Sequence, residues 1–426
     1  MFNFKPNLLL GVASSATQIE GGDLDHNWND WYNRGKIKDG SDPARATDHY
    51  DRWREDADIM VAMGIQVYRF GIEWARLCPT QTRVDEAAIA HYRAEMTYLK
   101  EHGISLLLTI HHFTNPMWFE KKGGFTKAEN TDDFIRFVEL VVDSFGDLIC
   151  EYITINEPNV YATSSFYFGD WPPGEKSLGQ TIKVMNNLAA CHILAYDLIH
   201  QMRREMGYWD TKVSFANHVR VFDPLRRYNV VHQFNAHLSR YLFQEALSHA
   251  MVRGRFKWPL RNTGKLKRGD YCDFIALNYY TRSTVSKFGD GVRPGSPKND
   301  LGWEIYPQGI LRCARQLYKE LRRPIYITEN GTADNQDTFR SRYIYDHLKV
   351  LSESELPVER YYHWCFCDNF EWLEGESTKF GLVSVDYKTQ QRTVKASGQF
   401  YSEIIKASGV TAEIYKKYVE DQTYHN

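Results

Sequence analysis

A chain of 426 residues with 43% hydrophobic residues and a formal net charge of −2 is long enough for two or three domains, or for one barrel with elaborated loops. The balanced charge reads as free of any basic stripe, and no run approaches the length of a membrane span, so neither nucleic acid nor a membrane is expected as a partner. The seven cysteines, Cys78, Cys150, Cys191, Cys272, Cys313, Cys365 and Cys367, are odd in number and lack C-x-x-C, which fits reduced core thiols in a cytoplasmic enzyme.

In chain order, the apolar stretch within Met1–Gly11 is too short for a signal peptide and runs into the first expected strand, Leu8–Ser14. Further β-rich runs fall at Gln66–Gly71, Ser105–Ile110, Tyr152–Ile155, Val213–Asn217, Phe274–Leu277, Pro324–Thr328 and Tyr361–Phe366. Helical stretches separate them. Ile89, Tyr92, Met96 and Leu99 recur at helical spacing before a stop at Gly103. Asn130 or Thr131 is expected to cap a helix through Phe134, Phe137, Val138, Val141 and Phe145, ended by Gly146. The Gly/Pro/Asp-rich stretch Phe288–Gly302 reads as a long loop after the sixth strand. Cys365 and Cys367, two apart on a strand-like run, would share a face. Strict alternation of strand and helix means parallel strands with helical crossovers, and eight such units predict an α/β fold, a single closed (β/α)8 TIM barrel spanning residues 1–426. No G-x-G-x-x-G follows the first strand, which weakens a dinucleotide-binding alternative.

In such a barrel chemistry sits at the C-terminal strand ends. Two β-branched runs stop there on a glutamate: Tyr152–Glu157, followed by Pro158, and Ile325–Glu329, followed by Asn330-Gly331. Burying an unpaired carboxylate costs several kcal/mol, and two that converge are the equipment for glycosidic-bond hydrolysis. The other strand ends are polar as well: Gln18 with Glu20, Arg69, His112, Asn156, Asn217 with His218, Asn278 with Tyr280, and Trp364 with Glu371 and Trp372 beyond it. Singly, each has a structural explanation, as a loop cap, a satisfied histidine or a buried ion pair. Polar residues at eight successive strand ends argue for a site.

Six motifs in order carry a resemblance to family 1 of the glycoside hydrolases, the β-glucosidase family. They are GVASSATQIEG (11–21), YRFGIEW (68–74), TINEP (154–158), ITENG (327–331), DNFEW (368–372) and FGLVSVDY (380–387). The resemblance covers essentially the whole chain and implies a retaining β-glycosidase, a β-glucosidase by preference, with no cofactor or metal and a small-molecule β-glycoside as its partner. By motif position Glu157 would be the general acid and base and Glu329 the nucleophile, about 5–5.5 Å apart. Arg69 and a hydrogen bond from Tyr280 would keep Glu329 ionised while Glu157 holds its proton. Gln18, His112, Asn156 and Glu371 would bond the sugar hydroxyls, with Asn278 in support, Trp364 under the ring and Trp372 beside it. Trp171 and Trp303 fall on the leaving-group side.

The chain departs from the commonest family pattern at Phe113, where an indole would supply an N–H for the 3-hydroxyl, at Glu73, and at Cys365 and Cys367. A 6-phospho-β-glycosidase is the nearest alternative, but an anionic Glu371 would repel the phosphate, and those family members carry a Ser there and a Lys-x-Tyr cluster, whereas here Lys379 is followed by Phe380. A non-catalytic sugar-binding barrel would need only the aromatic platforms, and it leaves Glu157 and Glu329 without a purpose.

Overall fold

The computed structural model describes residues 1–426 except Gly264, Phe288 and Asn426. Eight parallel strands close on themselves: β1 (Leu9–Ala13), β2 (Val67–Gly71), β3 (Ser105–His111), β4 (Glu151–Asn156), β5 (Lys212–Pro224), β6 (Ile275–Val285), β7 (Ile325–Asn330) and β8 (Val358–Trp364). Each pairs with the next, and Tyr362 of β8 returns to pair with Gly11 of β1. The crossovers are α1 (His49–Met63), α2 (Glu86–Glu101), α3 (Thr131–Phe145), α4 (Leu178–Glu205), α5 (Val230–Arg240), α6 (Pro307–Leu321) and α7 (Arg340–Ser352), with α8 (Ala396–Ala407) after β8. Strands covered on both faces read as near-continuous apolar runs, which is why the sequence betrays them. Their inward side chains, among them Ala13, Val67, Leu107, Ile153, Ala216, Ala276, Tyr326 and Tyr362, fill the lumen, and a larger apolar layer lies between strands and helices.

All eight expected strands are present, with three informative differences. β8 starts at Val358, earlier than expected, because Glu359 and Arg360 interrupt the apolar pattern; Arg360 reaches Glu151 at the bottom of the barrel. β5 and β6 run on past the barrel rim to Pro224 and Val285, paired with one another through Val221↔Arg282 and Pro224↔Val285. The loop expected over 288–302 therefore begins beyond a longer strand, with Asp290–Gly291 folded back onto Thr284 and Val285; Phe288 lies outside the described residues. The two helices come as expected, except at one cap. Asp85 caps α2 by accepting from the Ala88 N–H at 3.1 Å. Asn130 stands at the start of α3 but its amide donates back to the Lys122 and Gly124 carbonyls instead.

All seven cysteines are free thiols. Cys365 and Cys367 lie just past β8, buried, with the Cys365 thiol donating to the Cys367 carbonyl at 3.0 Å. One expectation fails outright. Residues 253–268 hold seven Lys/Arg, six of them exposed, so a basic stretch does exist.

Candidate active site

A cavity of about 320 Å³ opens at the C-terminal rim of the barrel, lined by His112, Glu157, Trp171, Tyr280, Trp303, Glu329, Trp364, Glu371 and Trp372 among others. Nine of the thirteen residues expected at a site thus share one wall. The remaining four, Gln18, Arg69, Asn156 and Asn278, are fully buried one layer behind it.

That second layer orients the first. Arg69, at the rim of β2, donates to Glu329 Oε1, to Asn156 Oδ1 at 2.6 Å and to Thr109 Oγ1 at 3.0 Å. Tyr280 donates to Glu329 Oε2 at 2.6 Å, so both carboxylate oxygens of Glu329 are held. Asn278 is fixed by the Thr328 hydroxyl at 2.7 Å and donates to Asn156 Oδ1 at 3.0 Å and to Glu157 Oε1 at 2.9 Å. Because Asn156 Oδ1 accepts from two donors, its amide nitrogen must face His112 Nε2, 3.0 Å away. His112 is then unprotonated at Nε2 and carries its proton on Nδ1, which has no partner among the described residues. Burial and the Arg69 charge hold this ring well below the usual histidine range. The ring lies on the cavity wall and keeps one buried N–H without a partner among the described residues.

Glu157 accepts from His218 Nδ1 at 3.0 Å, and Arg220 donates to the other ring nitrogen of His218 at 3.1 Å. Both His218 and Arg220 line the cavity. Burial lifts Glu329 to about 7, opposed by Arg69 and assisted by the Glu157 charge. Glu371, expected as an anion, is pushed up to about 8 by burial and then by Glu329, against hydrogen bonds from Trp364 and Gln18. A carboxyl raised in this way is drawn toward its neutral form, which can donate as well as accept and repels a phosphate less than an anion does.

Three non-glycine residues of the cavity wall have left-handed backbone: Glu157 (φ 41°), Phe113 (φ 68°) and Trp372 (φ 48°). Such positions cost of order 1–3 kcal/mol and gather where function demands them. Gly331 has a steric reason of its own, since a Cβ there would lie 1.8 Å from the Trp364 carbonyl. The rings of Trp364 and Trp372 each lie nearly parallel to His112, 5.8 Å away at 25° and 23°. Trp171 packs on Phe113 and Trp372, and Trp303 on Tyr280 and Phe380.

Some strand-end residues serve structure. Gln18 accepts from Ser15 and donates to the Phe370 carbonyl at 2.8 Å, to Asn369 and to Glu371, tying the Glu371 loop to β1. Glu20 pairs with Arg76 and Tyr92, and Asn217 turns outward to Ser248, so neither joins the cavity. Glu73 is buried, accepts from Thr17 at 2.6 Å and caps a short helix at Ala75. Arg220 and Phe380 were missed as site residues. Arg220 follows His218 by two along β5 and so shares its face, but the strand was expected to stop at Asn217.

A closed (β/α)8 barrel with two buried glutamates at the C-terminal ends of two strands, in a cavity that aromatic side chains line, defines a glycoside-cleaving enzyme. The family model for glycosyl hydrolase family 1 matches residues 2–410, and the chain belongs to that family of glycoside hydrolases. It is 31% identical to β-glucosidase A of Thermotoga maritima, covering 96% of this chain and 98% of that protein. Among solved structures, a β-glycosidase from Pyrococcus horikoshii superposes with a TM-score of 0.88 at 33% identity, covering 99% of this chain and 100% of that one. The Thermotoga maritima β-glucosidase in complex with glucoimidazole superposes with a TM-score of 0.87 at 29% identity, over 96% and 100% of the two chains.

Proposed function

We propose that the chain acts as one catalytic domain, a retaining β-glucosidase that removes terminal β-linked glucose through a covalent glycosyl-enzyme. Glu329 is the nucleophile and Glu157 the acid and then the base. The observation that carries this reading is the asymmetry of the partners around the two carboxyls. A charged His218 would hold Glu157 below the ordinary carboxylate range despite its burial. Arg220 argues against that charge: a guanidinium only donates, so its contact leaves Nε2 bare and the single ring proton on Nδ1, facing Glu157. The fixed cation in direct contact with the pair is then Arg69, on Glu329. The two carboxyls share one proton at neutral pH, with the negative charge on Glu329 and the proton on Glu157.

Attack by Glu329 on the anomeric carbon is accompanied by transfer of the Glu157 proton to the leaving oxygen. Esterification removes the Glu329 charge, so the Glu157 left ionised faces no repelling neighbour and can take a proton from water. His112, on the cavity wall, is the group for sugar hydroxyls near the reacting carbon, and Asn156, locked behind it by Arg69 and Asn278, orients its ring. Trp171 and Trp303 serve the leaving-group side. A 6-phosphate finds little here, because the one Lys or Arg lining the cavity among the described residues is Arg220, beside Glu157 and not beside Glu371. The free thiols agree with a cytoplasmic location, and among the described residues no helix is long and apolar enough to cross a membrane.

The test is Glu329→Gly with azide. Turnover of an alkyl β-glucoside should vanish, and azide should restore cleavage of an activated aryl β-glucoside to give the α-glycosyl azide. Release of the β-azide would reverse the two assignments. In the wild type, proton NMR in the first minutes should show β-glucose as first product.

A further inference from the structure

Between residues 224 and 268 the chain holds ten Lys/Arg and a single Asp/Glu, Glu245, in a protein whose formal net charge is −2. Glu245 is already paired with Arg240. The same segment exposes large apolar side chains: Tyr228 is 88% exposed, Val230 75%, Phe234 64% and Trp258 71%. On α5, Val230 and Phe234 are one turn apart and Val231 is exposed beside them, while only His232 and Ala236 are buried on the opposite face. The Tyr241 hydroxyl, one residue past α5, donates to the Trp258 carbonyl, which joins the helix to the 255–268 segment. Arg226, Arg227, Arg255, Lys257, Arg261 and Lys265 are exposed around these rings.

We propose that α5 and the 255–268 segment form a docking surface for an anionic lipid bilayer, with the apolar side chains entering the headgroup boundary and the surrounding cations facing lipid phosphates. Exposed aliphatic and aromatic side chains ringed by Lys and Arg are the composition of an interfacial surface. Charge complementarity selects the occupant. A second copy meeting this face with its own would bring like charges together, and Val230, Val231 and Leu225 can neither stack on bases nor hydrogen-bond to them. The expectation of no membrane partner rested on the lack of a span and does not bear on a surface of this kind. The surface adjoins the active-site rim, because Phe243 packs on His218 at 5.8 Å and lies under Arg220.

The experiment is co-sedimentation of the full chain with vesicles of phosphatidylcholine alone or with one third phosphatidylglycerol, at about 50 and about 500 mM salt. Two variants accompany it: Phe234→Ser with Trp258→Ser, and Lys257→Gln with Arg261→Gln and Lys265→Gln. Binding to the anionic vesicles only, weakened by salt, is expected. The charge variant should lose about fivefold per cation, about a hundredfold in all, and the apolar variant should also release the vesicles. Both should keep the wild-type melting temperature and hydrolysis of a soluble nitrophenyl β-glucoside. Absence of anionic-vesicle binding, or binding unchanged in both variants, overturns the proposal. So does a lipid-free dimer abolished by Phe234→Ser with Trp258→Ser, which would make the occupant a second copy. Duplex DNA bound as tightly as vesicles and indifferent to the apolar variant would overturn it as well.

Discussion

Removing the Tyr280 hydroxyl isolates one hydrogen bond to the proposed nucleophile. The ring is held by His218 (5.8 Å, 19°), Trp303 (5.8 Å) and Phe380 (6.3 Å), so Tyr280→Phe should leave it in place and delete only the donor 2.6 Å from Glu329 Oε2. A hydrogen bond to a charged acceptor in a dry site is worth about 1.5–3 kcal/mol, which is roughly a 10- to 150-fold loss in kcat/KM if the bond matters at the transition state. The same bond stabilises the ionised form of Glu329, so its loss should raise that carboxyl further. The sign is fixed: the pH at which the nucleophile becomes ionised moves up, and the acidic limb of the profile moves with it. The assay is kcat/KM for a nitrophenyl β-glucoside from about pH 4 to about pH 9 in both proteins, with melting temperature as a check on the fold. An unmoved acidic limb with a loss below about threefold would refute the reasoning, because the hydroxyl would then contribute neither to charge nor to rate.

Glu157→Ala should cripple cleavage of alkyl glucosides, whose leaving oxygen needs a proton, and slow glycosylation by a dinitrophenyl glucoside far less; equal losses in that step would contradict the acid assignment. Glu371→Ser should cost about 1–3 kcal/mol on glucosides, two neutral hydrogen bonds, and roughly half of that on β-fucosides, which lack the 6-hydroxyl; kcat/KM on both substrates decides, and a wild-type preference for 6-phosphoglucosides would overturn the substrate reading. Glu73, lifted to about 7 chiefly by burial, binds a proton in the folded state at pH values where the unfolded chain has released it. Stability should therefore fall as pH rises between the ordinary value and about 7, by at most about 3 kcal/mol. Glu73→Gln should melt above wild type near pH 8.5 and approach it near pH 5, and a pH-independent gap between the two proteins would refute this account.

Much of the fold was legible because its signals are local. A strand buried on both faces must be a short run of β-branched and aliphatic residues, and a glycine lies at the end of each of the first four crossover helices, so the units can be read off directly. The two glutamates were legible for the same reason, each ending such a run. The sequence by itself also settled the family resemblance, through six motifs in fixed order. Only the tertiary structure decided that Gln18 ties the Glu371 loop to β1, that Glu20 and Asn217 turn away from the cavity, and that β5 continues far enough to bring Arg220 behind His218. The proton inventory lies at the same level. Glu371 is raised because burial and the Glu329 field act together, His112 receives the Asn156 amide because the Asn156 oxygen is taken by Arg69 and Asn278, and Arg220 meets His218 only as a donor. Fields and hydrogen bonds act through space between strands far apart in the chain, so no local pattern of residues could have carried them.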